Sequence, residues 1–270
     1  MMKYIFISFF IALSLNTHAQ ELFVVTEPAS NMPTGAIGVR LAQSLMKEKF
    51  ESGYNYHIMP EIMWGANKNL MLHTSAFVSN RNKDLVTEGA SVYAKFRFFS
   101  VDDLHQHFRM AAFGRYSFNN SDIHQEEINT MGHNSGYEAG LVATQLIKKV
   151  AISASSSYEH AMNNTVVNKF PTIQSNSATN YTLSLGRLMY PNKYKNFKQT
   201  NINLMMEFMG QTLNTNGKSF LDVVPSLQFI INSQARIDVA YVQQLYSSMK
   251  RTAPNGLYLK LEYSLFNVTK

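Results

Sequence analysis

Three groups of residues have types and spacings that could do chemistry. His73 and Ser75 stand two apart, the spacing that puts an imidazole and a hydroxyl on one face of a β-strand, where a base could activate a nucleophile. His57, Met59, Glu61 and Met63 share the same period, with Met71 and His73 shortly after. Imidazole with thioether suits copper. The third group is a scatter of fixed charges, each at the polar position of an otherwise alternating run: Arg40, Glu61, Lys95, Arg97, Arg109, Arg115, Glu207, Asp222, Asp238 and Glu262. Rows of charge that line a pore set its selectivity. Which chemistry is meaningful depends on the elements that would position these residues.

Those elements are strands. In GAIGVRLAQSLM, Ile37, Val39, Leu41 and Leu45 oppose Ala36, Gly38, Arg40, Ala42 and Ser44, and YNYHIMPEIMW sets Tyr56, Ile58, Ile62 and Trp64 against His57, Met59, Glu61 and Met63. The same period of two recurs in ASVYAKFRFF, HFRMAAFGRY, INLMMEFMG, LDVVPSLQFII and GLYLKLEYSLF. Weaker segments near 70–78, 136–147, 150–159, 178–190 and 236–246 bring the expected number of strands to about twelve. The connections alternate in length. Long polar loops at 118–135 and 160–177 lie at one end, and turns as short as Lys148-Lys149 at the other.

Composition agrees with strands that face two solvents. Charged residues make up 16% and aromatics 12%, whereas an ordinary soluble domain carries about 25% charged residues. A barrel with an apolar exterior and a polar lumen averages to such values, and the asymmetry of its loops is that of outer-membrane barrels. A soluble β-sandwich would share the period but has no reason for ends of unequal loop length. The expected fold is therefore an all-β, transmembrane, up-and-down antiparallel barrel of about twelve strands. Tyr54, Trp64, Phe98, Phe108, Tyr116, Tyr137, Tyr158 and Tyr181 fall near strand ends on the outward side, at the headgroup level favoured by amphipathic rings.

Domain boundaries follow. Residues 1–19 read as a signal peptide, with Lys3, an apolar run from Tyr4 to Leu15 and Ala19 at the cut. No run reaches the roughly 18 to 20 apolar residues of a spanning helix. Residues 20–34, with Pro28 and Pro33, read as a short periplasmic lead-in, and 35–268 as the barrel. The 24 basic and 18 acidic side chains form no block, so nucleic acid is not an expected partner. The absence of cysteine excludes disulfides and thiolate metal sites.

Several segments carry a resemblance: PEIMWGANKNLML, AAFGRYSFNNSD, YEAGLVATQL, FKQTNINLMMEFMGQT and GKSFLDVVPSLQFIINSQARIDVAYVQQL. Together with the signal peptide they resemble the transporter-like outer-membrane barrels of Gram-negative bacteria linked by name to the phenol meta-degradation pathway, especially Bacteroidota-like members. The resemblance spans the mature chain and implies an outer-membrane channel or uptake role without a catalytic motif. The C-terminal assembly signals of such barrels usually end in a terminal aromatic, whereas here Phe266 is followed by Asn267, Val268, Thr269 and Lys270.

The functional expectation is a passive channel or transporter component for small polar or aromatic solutes. The ten charges named above are its pore-lining candidates. Lys95, Arg97, Arg109 and Arg115 fall on the fourth and fifth strands, opposite Glu207, Asp222, Asp238 and Glu262 on the last four. They would form either a transverse field or a salt-bridge network that fills the lumen. The alternative is a structural or surface-interaction barrel working through its long loops. A lipase is a weaker alternative: Leu70, Leu72 and Val78 turn His73 and Ser75 toward the lumen, and Ala76 and Phe77 depart from the outer-membrane phospholipase pattern. A metal site is not expected either, since methionine fills irregular interiors and no HxH or HxxxH pair in a rigid element focuses these ligands. His124, His133 and His160 read as solvated loop residues. No catalytic residue, cofactor or metal is expected. The partners are outer-membrane lipid and a small solute, and the sequence sets no oligomeric state.

Overall fold

The computed structural model describes residues 23–81, 84–103, 106–192 and 198–269. The expected signal peptide lies outside them. The first half of the chain forms β1 (Ile37–Lys47), β2 (Tyr54–Gly65), β3 (Leu70–Ser79), β4 (Val86–Asp103), β5 (Gln106–Asn119) and β6 (Gly136–Ile147). The second half forms β7 (Val150–Ala161), β8 (Ser177–Tyr190), β9 (Asn201–Leu213), β10 (Ser219–Ile231), β11 (Ala235–Ser247) and β12 (Asn255–Leu265). Each strand pairs antiparallel with its neighbours in sequence, and β1 pairs β12 from Ile37↔Leu265 to Lys47↔Asn255. The sheet is thus a closed twelve-stranded barrel. Closure leaves no strand edge, the condition for spanning a hydrocarbon layer with strands.

The period of two sorts the side chains as expected. Val39, Ile62, Val92, Leu141, Leu204, Val239 and Leu257 are exposed on the outer face, where lipid takes the place of water. Their strand neighbours Arg40, Glu61, Ser91, Asn203 and Asp238 are buried inside. Of the aromatics expected at the interface levels, Tyr54, Trp64, Phe98, Tyr116, Tyr137, Tyr158 and Tyr181 are exposed. Phe99 departs from strict alternation. A register shift between Arg97 and Phe99 inserts one residue into β4, and both Phe98 and Phe99 face outward, as a bulge requires.

The ends differ as the sequence suggests. Asn67 Oδ1 accepts from the backbone N–H of Asn69 and Leu70 and closes the β2–β3 turn, while Lys148, at φ 55°, makes the β6–β7 turn. Residues 120–135 and 162–176 form the long connections at the opposite end. After Leu265 the tail folds back, with the N–H groups of Val268 and Thr269 donating to Gly35 O.

Candidate functional site

The lumen is filled from both ends. Residues 23–34, expected as a lead-in outside the barrel, run inside it. Phe23 and Val24 bury themselves against Ala151, Met205, Val224, Ala240 and Val242, inward-facing apolar residues that a wholly aqueous lumen would not need. The wall then grips the backbone of this segment. The Glu207 carboxylate accepts from three successive amides, Val24, Val25 and Thr26, at 2.7 to 3.2 Å, and from the Thr26 hydroxyl at 2.7 Å. Consecutive N–H groups curled round an anion form a nest. Lys260 Nζ donates to Val24 O at 2.5 Å, Lys95 Nζ to Pro28 O at 2.7 Å, and Ala29 N–H to Thr144 Oγ1 at 2.9 Å. Lower down, Arg109 donates to Ser30 Oγ and Met32 N–H to the Met71 thioether. Gly65 lets the segment leave the barrel, since a Cβ there would run into the Pro33 carbonyl.

Glu27 is the segment's only charged group and sits at the junction of two clusters. It pairs with Arg40 at 2.9 Å and Lys95 at 3.3 Å. Burial alone would raise its carboxyl pKa, but Lys95 and then Arg40 outweigh burial and hold it well below the usual carboxylate range. Arg40 also bonds Glu61 and Glu262, its direct cross-strand neighbours on β2 and β12. Glu262 binds Arg236, which lies 3.1 Å from Asp238, and Asp238 is 3.3 Å from Lys260.

The opposite end is narrowed by the β5–β6 loop. It folds inward, placing Ile128 against Ala161, Leu213 and Phe220. Gln211 accepts from Ile128 N–H and donates to its carbonyl, and Glu159 accepts from the N–H and hydroxyl of Thr130. Arg251 holds Asp222 through two bonds of 2.7 Å and Glu127 through one of 2.6 Å. Glu126 reaches Lys218 and the Lys250 amide. His133, expected in solvent, is carried in with this loop, its ring centroid 6.3 Å from that of His57. Burial, then Arg81 and His57, hold its pKa well below the ordinary histidine value.

A chamber of about 360 Å³ remains between the two obstructions. Val24 to Glu27 bound it on one side and Gln125 to Met131 on the other. Its wall mixes Met59, Met209, Phe113, Phe220 and Tyr258 with Arg40, Arg115, Glu138 and Glu159. The register lays His73, Tyr93, Arg115, Glu138 and Glu159 side by side on β3 to β7.

The ten charges expected to line the lumen therefore separate. Arg40, Glu61, Lys95, Glu207, Asp238 and Glu262 meet around the N-terminal segment, and of these Arg40 and Glu61 also reach the chamber wall. Arg115 and Asp222 belong to the chamber. Arg97 and Arg109 sit at the short-turn rim, where Arg97 donates to Lys68 O and Arg109 pairs with Asp102 at 2.8 Å. The His73–Ser75 pair is not assembled for hydrolysis. Both residues are buried inside and address Glu61, Ser75 Oγ at 2.9 Å and His73 Nδ1 at 3.4 Å. Among the described residues no three of His, Asp and Glu group as metal ligands.

No family model matches the chain, and no curated protein matches it in sequence. Its fold is similar to the crystal structure of an outer membrane channel from Pseudomonas putida F1, with a TM-score of 0.56 and 10% identity over 90% of this chain and 99% of that one. Pseudomonas aeruginosa OprD (TM-score 0.41, 9% identity, 86% of this chain and 66% of that one) and Acinetobacter baumannii OccAB4 (0.41, 9%, 83% and 56%) are more distant. The closed barrel and its apolar outer belt, together with this shared fold, are those of an outer-membrane β-barrel.

Proposed function

We propose that the barrel is a passive outer-membrane channel for small polar or aromatic solutes, with the chamber as the central station of its path. The observation that carries this reading is a 360 Å³ space lined by both charged and aromatic side chains in the middle of the barrel. A barrel serving only as a scaffold has no use for such a space, because close packing is the norm in protein interiors. The turns expected on the periplasmic side lie at the end where residues 23–34 enter, so a solute from outside meets the β5–β6 loop first and the segment second. Conduction requires one or both to yield. The protein reconstituted in planar bilayers should give small single-channel currents, with liposome swelling for solutes of roughly benzoate size. Complete absence of both would sink the proposal.

A specific observation favours a second reading for one loop. At the tip of residues 162–176, Val166, Val167 and Ile173 are 89%, 89% and 94% exposed, whereas the β5–β6 loop is spent on the lumen. A surface contact made by the barrel would therefore use 162–176. Removing that loop should leave solute flux intact if the lumen is the working part, and abolish partner capture if the loop is.

A further inference from the structure

Four basic side chains line the chamber, and three are fully engaged. Arg40 serves three carboxylates, Arg251 holds Asp222 and Glu127, and Lys260 bonds the carbonyl of Val24 beside Asp238. Arg115 is the exception. Its side chain is only 7% exposed and its Nε stands 3.5 Å from Glu138 Oε2, while Nε and Nη1 have no hydrogen-bond partner. Buried charged donors without acceptors are costly, and a guanidinium offers five in a rigid fork. The fork is held in place by packing. Its Cζ lies 5.1 Å from the Tyr93 ring centroid, and Tyr93 is flanked by His73 at 4.9 Å and Phe113 at 5.9 Å. One cation is thus held against a cluster of tilted aromatic rings with part of its donor set unused, at the wall of a cavity.

We propose that Arg115 is the anion-binding group of a solute subsite, taking the carboxylate of a small organic mono-anion whose apolar body lies against Tyr93, Phe113 and the chamber methionines. Carboxylate matches the planar fork through two parallel bonds. The acids nearby limit the ligand to one negative charge. Glu138 is the cross-strand neighbour of Arg115, and Glu159 that of Glu138, so a second anionic group would meet repulsion. The chamber volume is at the lower end of the range for small-molecule sites and suits a single ring with its substituent. The assignment deepens the channel reading and rests on the chamber being part of the solute path.

Calorimetric titration of the detergent-solubilised mature protein with benzoate, benzyl alcohol and phthalate tests it, alongside bilayer currents from the same preparation. Benzoate should bind about tenfold more tightly than the neutral alcohol or the dianion, the worth of one charge-assisted pair. Arg115→Met should abolish that preference. Glu138→Gln should strengthen benzoate binding severalfold, a gain that a misfolded barrel cannot produce. Equal binding of benzoate and benzyl alcohol, no benzoate binding to the wild type, or binding unchanged in Arg115→Met would each overturn the subsite. Current without benzoate binding would remove the subsite and leave the channel, and benzoate binding without current would do the reverse.

Discussion

The two obstructions in the lumen are held in different ways. The N-terminal segment is gripped mainly by its backbone: amides 24 to 26 surround Glu207, and the carbonyls of Val24 and Pro28 meet Lys260 and Lys95. The β5–β6 loop contributes side chains as well, with Glu126 and Glu127 reaching to Lys218 and Arg251 at the rim. Apart from Phe23, Val24 and Glu27, whose side chains are also engaged, a segment held mainly by its backbone tolerates changes in its own sequence and depends on the wall. A loop held by its side chains depends on both partners. The difference implies that substitutions in the wall affect the first obstruction most, and substitutions at either side of the rim affect the second.

The largest expected effect is from removing residues 20–34 while keeping residues 1–19. Single-channel conductance should rise severalfold, because a whole layer of the lumen is emptied, and an unchanged conductance would mean that the loop alone sets the resistance. Next comes Glu207→Gln, which leaves three amides facing a neutral carbonyl and should weaken docking by about 2 kcal/mol, or about thirtyfold in the detached population. Val25→Ala should do little. Since the chain has no cysteine, a single Ser30→Cys reporter can be labelled with an impermeant maleimide to measure detachment. Equal labelling of the Glu207→Gln and Val25→Ala variants would break the backbone-versus-side-chain contrast. Arg251→Met leaves Asp222 buried without its partner and should free the loop at a cost of about 3 kcal/mol, read as added protease cleavage within 120–135 and unaltered labelling at position 30.

The smallest effect separates the two by acid. His133 has a depressed pKa in the inward loop, so below pH 6.5 the released loop binds the proton more readily and the inward position weakens as pH falls. Arg81, His57, Arg251 and His124 all press in that direction. Glu27 is depressed too, but from a starting value of 4.5, so its hold on Arg40 and Lys95 is complete above that pH and fades only as pH drops well below it. Lowering the pH from 7 to 5 should therefore increase loop cleavage without raising labelling at position 30. Detachment of the segment in that interval would contradict the assignment.

Much of the barrel was legible because its signal is local. A period of two in ILe-Val-Leu runs such as Ile37 to Leu45 fixes which side faces lipid, and the alternation of long and short connections fixes the two ends. Even the lumen side of Glu207, Asp222 and Arg115 follows from parity alone. The segment 23–34 was not legible in this way. It has no period, and its partners are backbone groups answering side chains on β4, β6, β9 and β12, contacts that only the closed barrel brings together. A signal was nevertheless present: Met205, Val224 and Ala240 occupy lumen positions where an open water path has no use for them. His133 was misplaced for a similar reason, since a polar loop gives no local indication that it folds inward. Phe99 turned on a single inserted residue, which alternation cannot register.

The contacts of the N-terminal segment also bear on how the barrel is made. Val24 meets Glu207 and Lys260 across 183 and 236 residues of chain, and Ala29 meets Thr144 across 115. Contacts so distant in sequence form late. A strand slipped by one residue would turn its lumen groups to the outside and leave the segment without a nest or its carbonyl donors. Docking of residues 23–34 is thus expected to come last in assembly and to act as a proofreading step, completed only by a barrel that has closed in register.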